Sequence, residues 1–263
     1  FVFLFISFSK ILSKFKLNKN LLYGIFLFPS WHFFSSFPGK DAIFLFSIGL
    51  LCFYCIKKNF FYLIISIILI YSIRPHVVYM VLISGLLVWI HYFLIGILKS
   101  KIIYFILIAL IFTLLPYFLK IINPYYFDLL VNFSEKGAMF RNYSNGYAGW
   151  YETGNNIFSN SLKYLFYPLF DFSNLNRSII SLENILILLF FLRMTFNYDQ
   201  KIFNQMIKKK EILFSILFFT IMLVALSNFT ANIGISARQK WMMMPFLFLL
   251  IIPFLGKFKS IRS

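Results

Sequence analysis

Residues Ile212 to Phe229 read ILFSILFFTIMLVALSNF, a block without a single charge. As an α-helix rising about 1.5 Å per residue, it would run roughly 27 Å. The hydrocarbon core of a bilayer is about 30 Å thick. Lys208-Lys-Lys210-Glu211 precedes the block, and the polar stretch Thr230 to Lys240 follows it. An apolar run of this length between polar flanks reads as a membrane-spanning helix.

The pattern recurs on both sides. Val77 to Leu98 and Ile102 to Ile122 are full-length apolar blocks. Ala42 to Ile56, Phe60 to Ile73, Ile185 to Phe196 and Trp241 to Gly256 are shorter ones. Phe1 to Phe8 reads as the end of a further span, so the chain is expected to have lost N-terminal spans. Leu21 to Phe34 is apolar and aromatic but contains Pro29 and His32. Of the 263 residues, 61% are apolar and 13% charged. Soluble domains average about 45–50% and about 25%, which excludes a soluble globular protein. The expected fold class is all-α: a polytopic transmembrane bundle, a single domain over 1–263, with about eight or nine spans.

The net charge is +17. In a soluble chain that excess would point to nucleic acid. Here the basic residues sit between apolar blocks, as expected of residues that orient membrane spans. Counted over alternate connections, 16 basic residues fall on one side and nine on the other. Five of the nine lie in or beside the stretch 123–184, and long segments carry little orienting weight. The richer side is expected to be cytoplasmic and to include the C-terminus. Residues 123–184 are then one large external loop. Within it, Tyr125 to Phe133 and Leu162 to Phe172 read as amphipathic helices lying at the interface.

The two cysteines, Cys52 and Cys55, form C-x-x-C inside an apolar run. A redox motif needs a helix start beside a sheet, and zinc needs further ligands. Packing is the plain reading. No metal ligand set, nucleotide loop or dinucleotide fingerprint is present in the sequence, so no metal and no cofactor is expected.

Charges at the external side need an explanation, because they are costly at membrane depth and oppose the orientation rule. Lys40, Arg74, His76, Arg141, Arg238 and Lys240 suggest an anionic ligand there, since Arg forks suit phosphate oxygens. Trp150 belongs to an aromatic stretch suited to packing on sugars. Acid–base candidates are His32, Asp41, Glu152 and Glu183. The ordinary alternatives are headgroup snorkelling for the arginines, helix capping for Glu183 and Asp41, and interfacial packing for the histidines.

Several local strings carry a resemblance: Pro29-Ser-Trp-His-Phe-Phe-Ser-Ser with Gly39-Lys-Asp-Ala42, Ile73-Arg-Pro-His76, Tyr164-Leu-Phe-Tyr-Pro-Leu-Phe170, Ser181-Leu-Glu-Asn184 and Ala237-Arg-Gln-Lys240. From about residue 20 to 255 the chain resembles bacterial surface-polysaccharide (O-antigen and capsule) polymerase-like membrane proteins. The resemblance implies a many-span enzyme of the inner membrane with a large periplasmic loop. It would act on oligosaccharide carried by undecaprenyl diphosphate, with membrane lipid and polysaccharide-assembly proteins as partners. Arg74 and Arg238 would hold the diphosphate. The arginine-rich loop motifs of the better-known polymerases are not present. A polyprenyl-phosphate-sugar glycosyltransferase and a flippase of lipid-linked oligosaccharide remain the alternatives.

Overall fold

The computed structural model describes residues 4, 6–10, 28–30, 32, 39–97, 157–230 and 233–255. Among these, every regular element is an α-helix: α1 (Lys40–Lys57), α2 (Phe60–Ile73), α3 (Pro75–Ile97), α4 (Ile157–Phe166), α5 (Leu175–Phe196), α6 (Gln200–Ile207), α7 (Lys210–Phe229), α8 (Ile233–Lys240) and α9 (Met244–Leu255). Helix is the element in which each segment satisfies its own backbone, which a bilayer demands.

Three helical stretches are long and apolar enough to cross a membrane: Pro75–Leu94, Leu175–Phe196 and Lys210–Asn228. A fourth crossing is available if α8 and α9, which meet at 60°, act as one bent span. Helix α1 has 18 residues but carries Lys40, Asp41 and Lys57 at its ends. Helix α2 is apolar throughout but has only 14 residues.

Local chemistry sets the links. Lys58 ends α1 in the left-handed region at φ 57°, its N–H donating to the Tyr54 carbonyl. Asn59 then caps α2, its side chain accepting from the Phe61 N–H at 3.0 Å. Two residues therefore turn the chain back, and α1 packs along α2. At the far end of α2, Arg74 precedes Pro75. A pre-proline residue is pushed out of helical geometry, and proline suits the first turn of the next helix. One residue, Arg74, thus separates α2 from α3.

Three expectations are corrected. The expected external stretch 123–184 ends earlier than its bound, because α5 starts at Leu175. Asn174 starts α5, its side chain accepting from the Arg177 N–H at 3.0 Å. The polar residues of the first half of α5 broke the apolar pattern and hid this start. The helix expected over Leu162 to Phe172 runs instead over Ile157–Phe166, because Pro168 ends the pattern. It turns a polar face into the bundle: Asn160 donates to Asn228 of α7 at 3.2 Å, and Ser161 bonds Ser227 at 3.1 Å. Ile157, Phe158 and Leu162 face outward. The stretch Thr230 to Lys240 likewise holds helix α8 where a loop was expected. The expected helices Ile102 to Ile122 and Tyr125 to Phe133 lie outside the described residues.

Helix α7 is the central post. It packs on α3, α4 and α9, while α5 packs on α9. The core is dense in aromatic rings: Phe218 meets Phe246 edge-on at 4.6 Å, and Phe28 lies 5.0 Å from Trp241. The cysteines Cys52 and Cys55 are free and buried in α1.

The bundle has two chemically distinct ends. One gathers Lys57, Lys58, Arg193 and Lys208 to Lys210. There Lys58 pairs with Glu211 at 2.8 Å, Tyr92 donates to the Lys208 carbonyl at 2.7 Å, and Asn197 donates to the Phe254 carbonyl at 3.0 Å. The other end gathers the starts of α1, α3 and α5, the end of α7, and α4 with α8.

Candidate functional site

The second end brings together residues far apart in the chain. Asp41, in the first turn of α1, lies between two guanidiniums. Arg74, from the α2–α3 junction, donates Nη2 to Asp41 Oδ1 at 3.0 Å. Arg238, from the last turn of α8, pairs through Nε with Asp41 Oδ2. An acidic residue near a helix N-terminus is also favoured by the helix dipole. The Arg74 guanidinium further lies 5.5 Å from the centre of the Phe44 ring. Burial lowers the Arg74 pKa from its ordinary value, and the bond to Asp41 works against that fall. An arginine stays charged in either case.

The pair geometry leaves an excess of positive charge. Two guanidiniums share one carboxylate, and Lys40 stands exposed beside it. The side chains of Asp41 and Arg74 are 18% and 17% exposed, whereas Arg238 is 48% exposed. Arg238 spends Nε on Asp41 and keeps two terminal amino groups in a half-open position. His76, two residues after Arg74, is exposed.

Behind this cluster lies a second, buried one. Lys240 is two residues after Arg238, so the two leave α8 about 200° apart. Lys240 is 2% exposed. Its Nζ donates to the Leu165 carbonyl at 2.8 Å and to Asn184 Oδ1 at 2.6 Å. Asn184 in turn donates to the Pro168 carbonyl at 2.9 Å. Glu183 is 4% exposed. Both of its oxygens are engaged by Ser30: one accepts the backbone N–H and the other the hydroxyl, each at 2.6 Å. Pro29, Ser30 and His32 are helical. Glu183 thus acts as a tertiary cap on that turn, with Phe28 anchored below by Trp241 and Phe190. The expected place of Glu183 at a helix start is corrected: it is the ninth residue of α5, whose cap is Asn174.

The candidate residues therefore divide. Asp41, Arg74 and Arg238 form one cluster, flanked by Lys40 and His76. Glu183 and Lys240 form the buried layer, and His32 stands on the turn that Glu183 holds. Arg141, Trp150 and Glu152 lie outside the described residues. Ser30, Asn184 and the Asn160–Asn228 pair were missed in the sequence reading. The available signal was polar residues within or beside apolar runs, which are costly unless partnered. Among the described residues no group of His, Cys, Asp or Glu is arranged to hold a metal ion. Compared with protein-family models, curated proteins and solved structures, the chain finds no match.

Proposed function

We propose that this chain is an integral membrane glycosyltransferase of the polysaccharide-polymerase type, acting on undecaprenyl-diphosphate-linked oligosaccharide at the periplasmic face of a bacterial inner membrane. In this reading the lysine-rich end and the C-terminus are cytoplasmic, and the chain from residue 123 to the start of α5 belongs to the periplasmic side. The observation that carries the reading is the meeting of Arg74 and Arg238 on Asp41, at the end away from the lysine-rich one. A carboxylate between two guanidiniums holds both forks in place while leaving net positive charge for a ligand.

That charge suits the chemistry. The acceptor hydroxyl forms a new bond to the anomeric carbon of the growing glycan as the glycosyl–phosphate bond breaks. The diphosphate leaves with the electron pair, and fixed positive charge nearby stabilises it. The hydroxyl proton passes to a base. Asp41, Glu183, His32 and Glu152 are the candidates for that base.

Glycan length tests the reading, in a host carrying the locus, with the chain compared to Arg74→Ala and Arg238→Ala at matched expression. Loss of long chains, with single repeat units still reaching the surface, is expected. Loss of all surface glycan, with lipid-linked units accumulating inside, would sink polymerisation in favour of a flippase. A buried lysine and glutamate at membrane depth would then be the pathway residues. Single units lost without such accumulation would favour a polyprenyl-phosphate-sugar glycosyltransferase. Unchanged chains would leave both arginines with a purely structural role.

A further inference from the structure

A sizeable hollow among the described residues lies away from the arginine cluster. It lies in the other half of the bundle, a groove of about 730 Å³ between α1, α2, α3 and α7. That is within the usual size of a ligand site, about 300–1,000 Å³. Its walls are apolar, with Leu51, Leu63, Val81, Leu86, Trp89 and Phe214 among them. Its charged lining residues are Lys58, Lys210 and Glu211, with Tyr54 and Cys55 as further polar ones. A second hollow of about 340 Å³ shares Gly85, Val88, Trp89 and Lys210 with it and continues to Tyr92 and Phe93.

The floor has room. A Cβ built on Gly85 would meet nothing within 4 Å. The charge at the mouth is unbalanced. Glu211 is taken by Lys58 at 2.8 Å, and Lys210 lies over the Tyr92 ring at 4.9 Å beside Lys208 and Lys209. An ammonium on an aromatic face at a helix start is held outward, at the depth of lipid headgroups.

We infer that this groove binds an anionic phospholipid of the leaflet at the lysine-rich end, with an acyl chain along Leu63, Leu86 and Phe214 and the phosphate at Lys210. The shape explains an apolar chain, and the uncompensated lysine explains the charge of the headgroup. A zwitterionic lipid would fill the same walls but leave Lys210 without its counter-charge. The proposal does not depend on the reaction assigned to the opposite end.

Native mass spectrometry of the full chain in detergent, titrated separately with phosphatidylglycerol and phosphatidylcholine, tests it. One lysine near an anionic headgroup is worth roughly a fivefold preference for phosphatidylglycerol. Lys210→Gln is expected to bring the two lipids level. Gly85→Leu enters open space and replaces glycine with a better helix former, so the fold should survive, as helicity by circular dichroism would verify. It is expected to remove adducts of both lipids. Equal wild-type binding of the two lipids, or an undiminished phosphatidylglycerol adduct in Gly85→Leu, would overturn the inference.

Discussion

Lys240 shows how one side chain can hold three elements. Its ammonium, on α8, bonds the Leu165 carbonyl of α4 and Asn184 of α5. Both acceptors are buried with it. Removing a donor from a buried acceptor costs about 1–3 kcal/mol for each group left unsatisfied. We therefore expect Lys240→Met to destabilise the protein by about 3 kcal/mol, read as a fall in the detergent-solubilised unfolding midpoint. Arg238→Ala touches a half-exposed pair and should cost only about 0–1 kcal/mol. A similar loss in both variants would mean that Lys240 is not the tie it appears in the geometry. Sequence reading placed Arg238 and Lys240 together as external cations. Their separation into a half-exposed and a buried residue follows from the two-residue spacing on a helix, once α8 is known to be one.

Helix boundaries in this chain are decided by a few capping residues. Asn59 and Asn174 each accept from an N–H of the first turn they cap, at 3.0 Å. Replacing either by alanine should lower stability by about 1 kcal/mol. Hydrogen exchange should localise the loss to the first turn of α2 or α5, and faster exchange spread evenly over the bundle would contradict a capping role. The bounds of α2 were legible from hydropathy alone, because all of its residues but Ser66 and Ser72 are apolar or aromatic. Those of α5 were not. Its first turns hold Ser178, Ser181, Glu183 and Asn184, whose polarity is absorbed by partners elsewhere: Ser181 bonds Asp171, and Glu183 bonds Ser30. A window of hydropathy registers the polarity and not the partner. Helix α4 misled for the same reason, since Asn160 and Ser161 are buried on its inward face beside Tyr164 and Leu165.

The described helices form an antiparallel arrangement with a lysine-rich end and an arginine–aspartate end. The proposed orientation, argued from positive charge, has the first in the cytoplasm. Single cysteines at Lys40 and Lys58 would report it, as both positions are exposed at opposite ends. The native Cys52 and Cys55 are buried and should stay silent. In intact cells an impermeant maleimide is expected to label Lys40→Cys and to reach Lys58→Cys only after permeabilisation. Labelling of both from the same side would refute the arrangement. At this level too, the strength of association comes from packing and polar ties more than from apolar burial, because lipid tails are as apolar as the helix faces they meet. The Asn160–Asn228 and Ser161–Ser227 contacts join α4 to the central post in that way.

Hydropathy and charge by themselves determined the class: an all-helical chain with spans at Val77 to Leu98 and Ile212 to Phe229, and basic residues gathered between blocks. Those are local properties, summed over windows of about 20 residues. They also marked Asp41, Arg74, Arg238, Glu183 and Lys240 as residues out of place. Only the tertiary structure decided which of them belong together. Asp41 and Arg74 are 33 positions apart, Ser30 and Glu183 153, and Lys240 and Asn184 56. Partner choice at such separations depends on which helix ends share a level and which faces touch. Periodicity within one helix carries no information about the rotation of the next, so the pairing of charges, unlike their presence, is a property of the packed bundle.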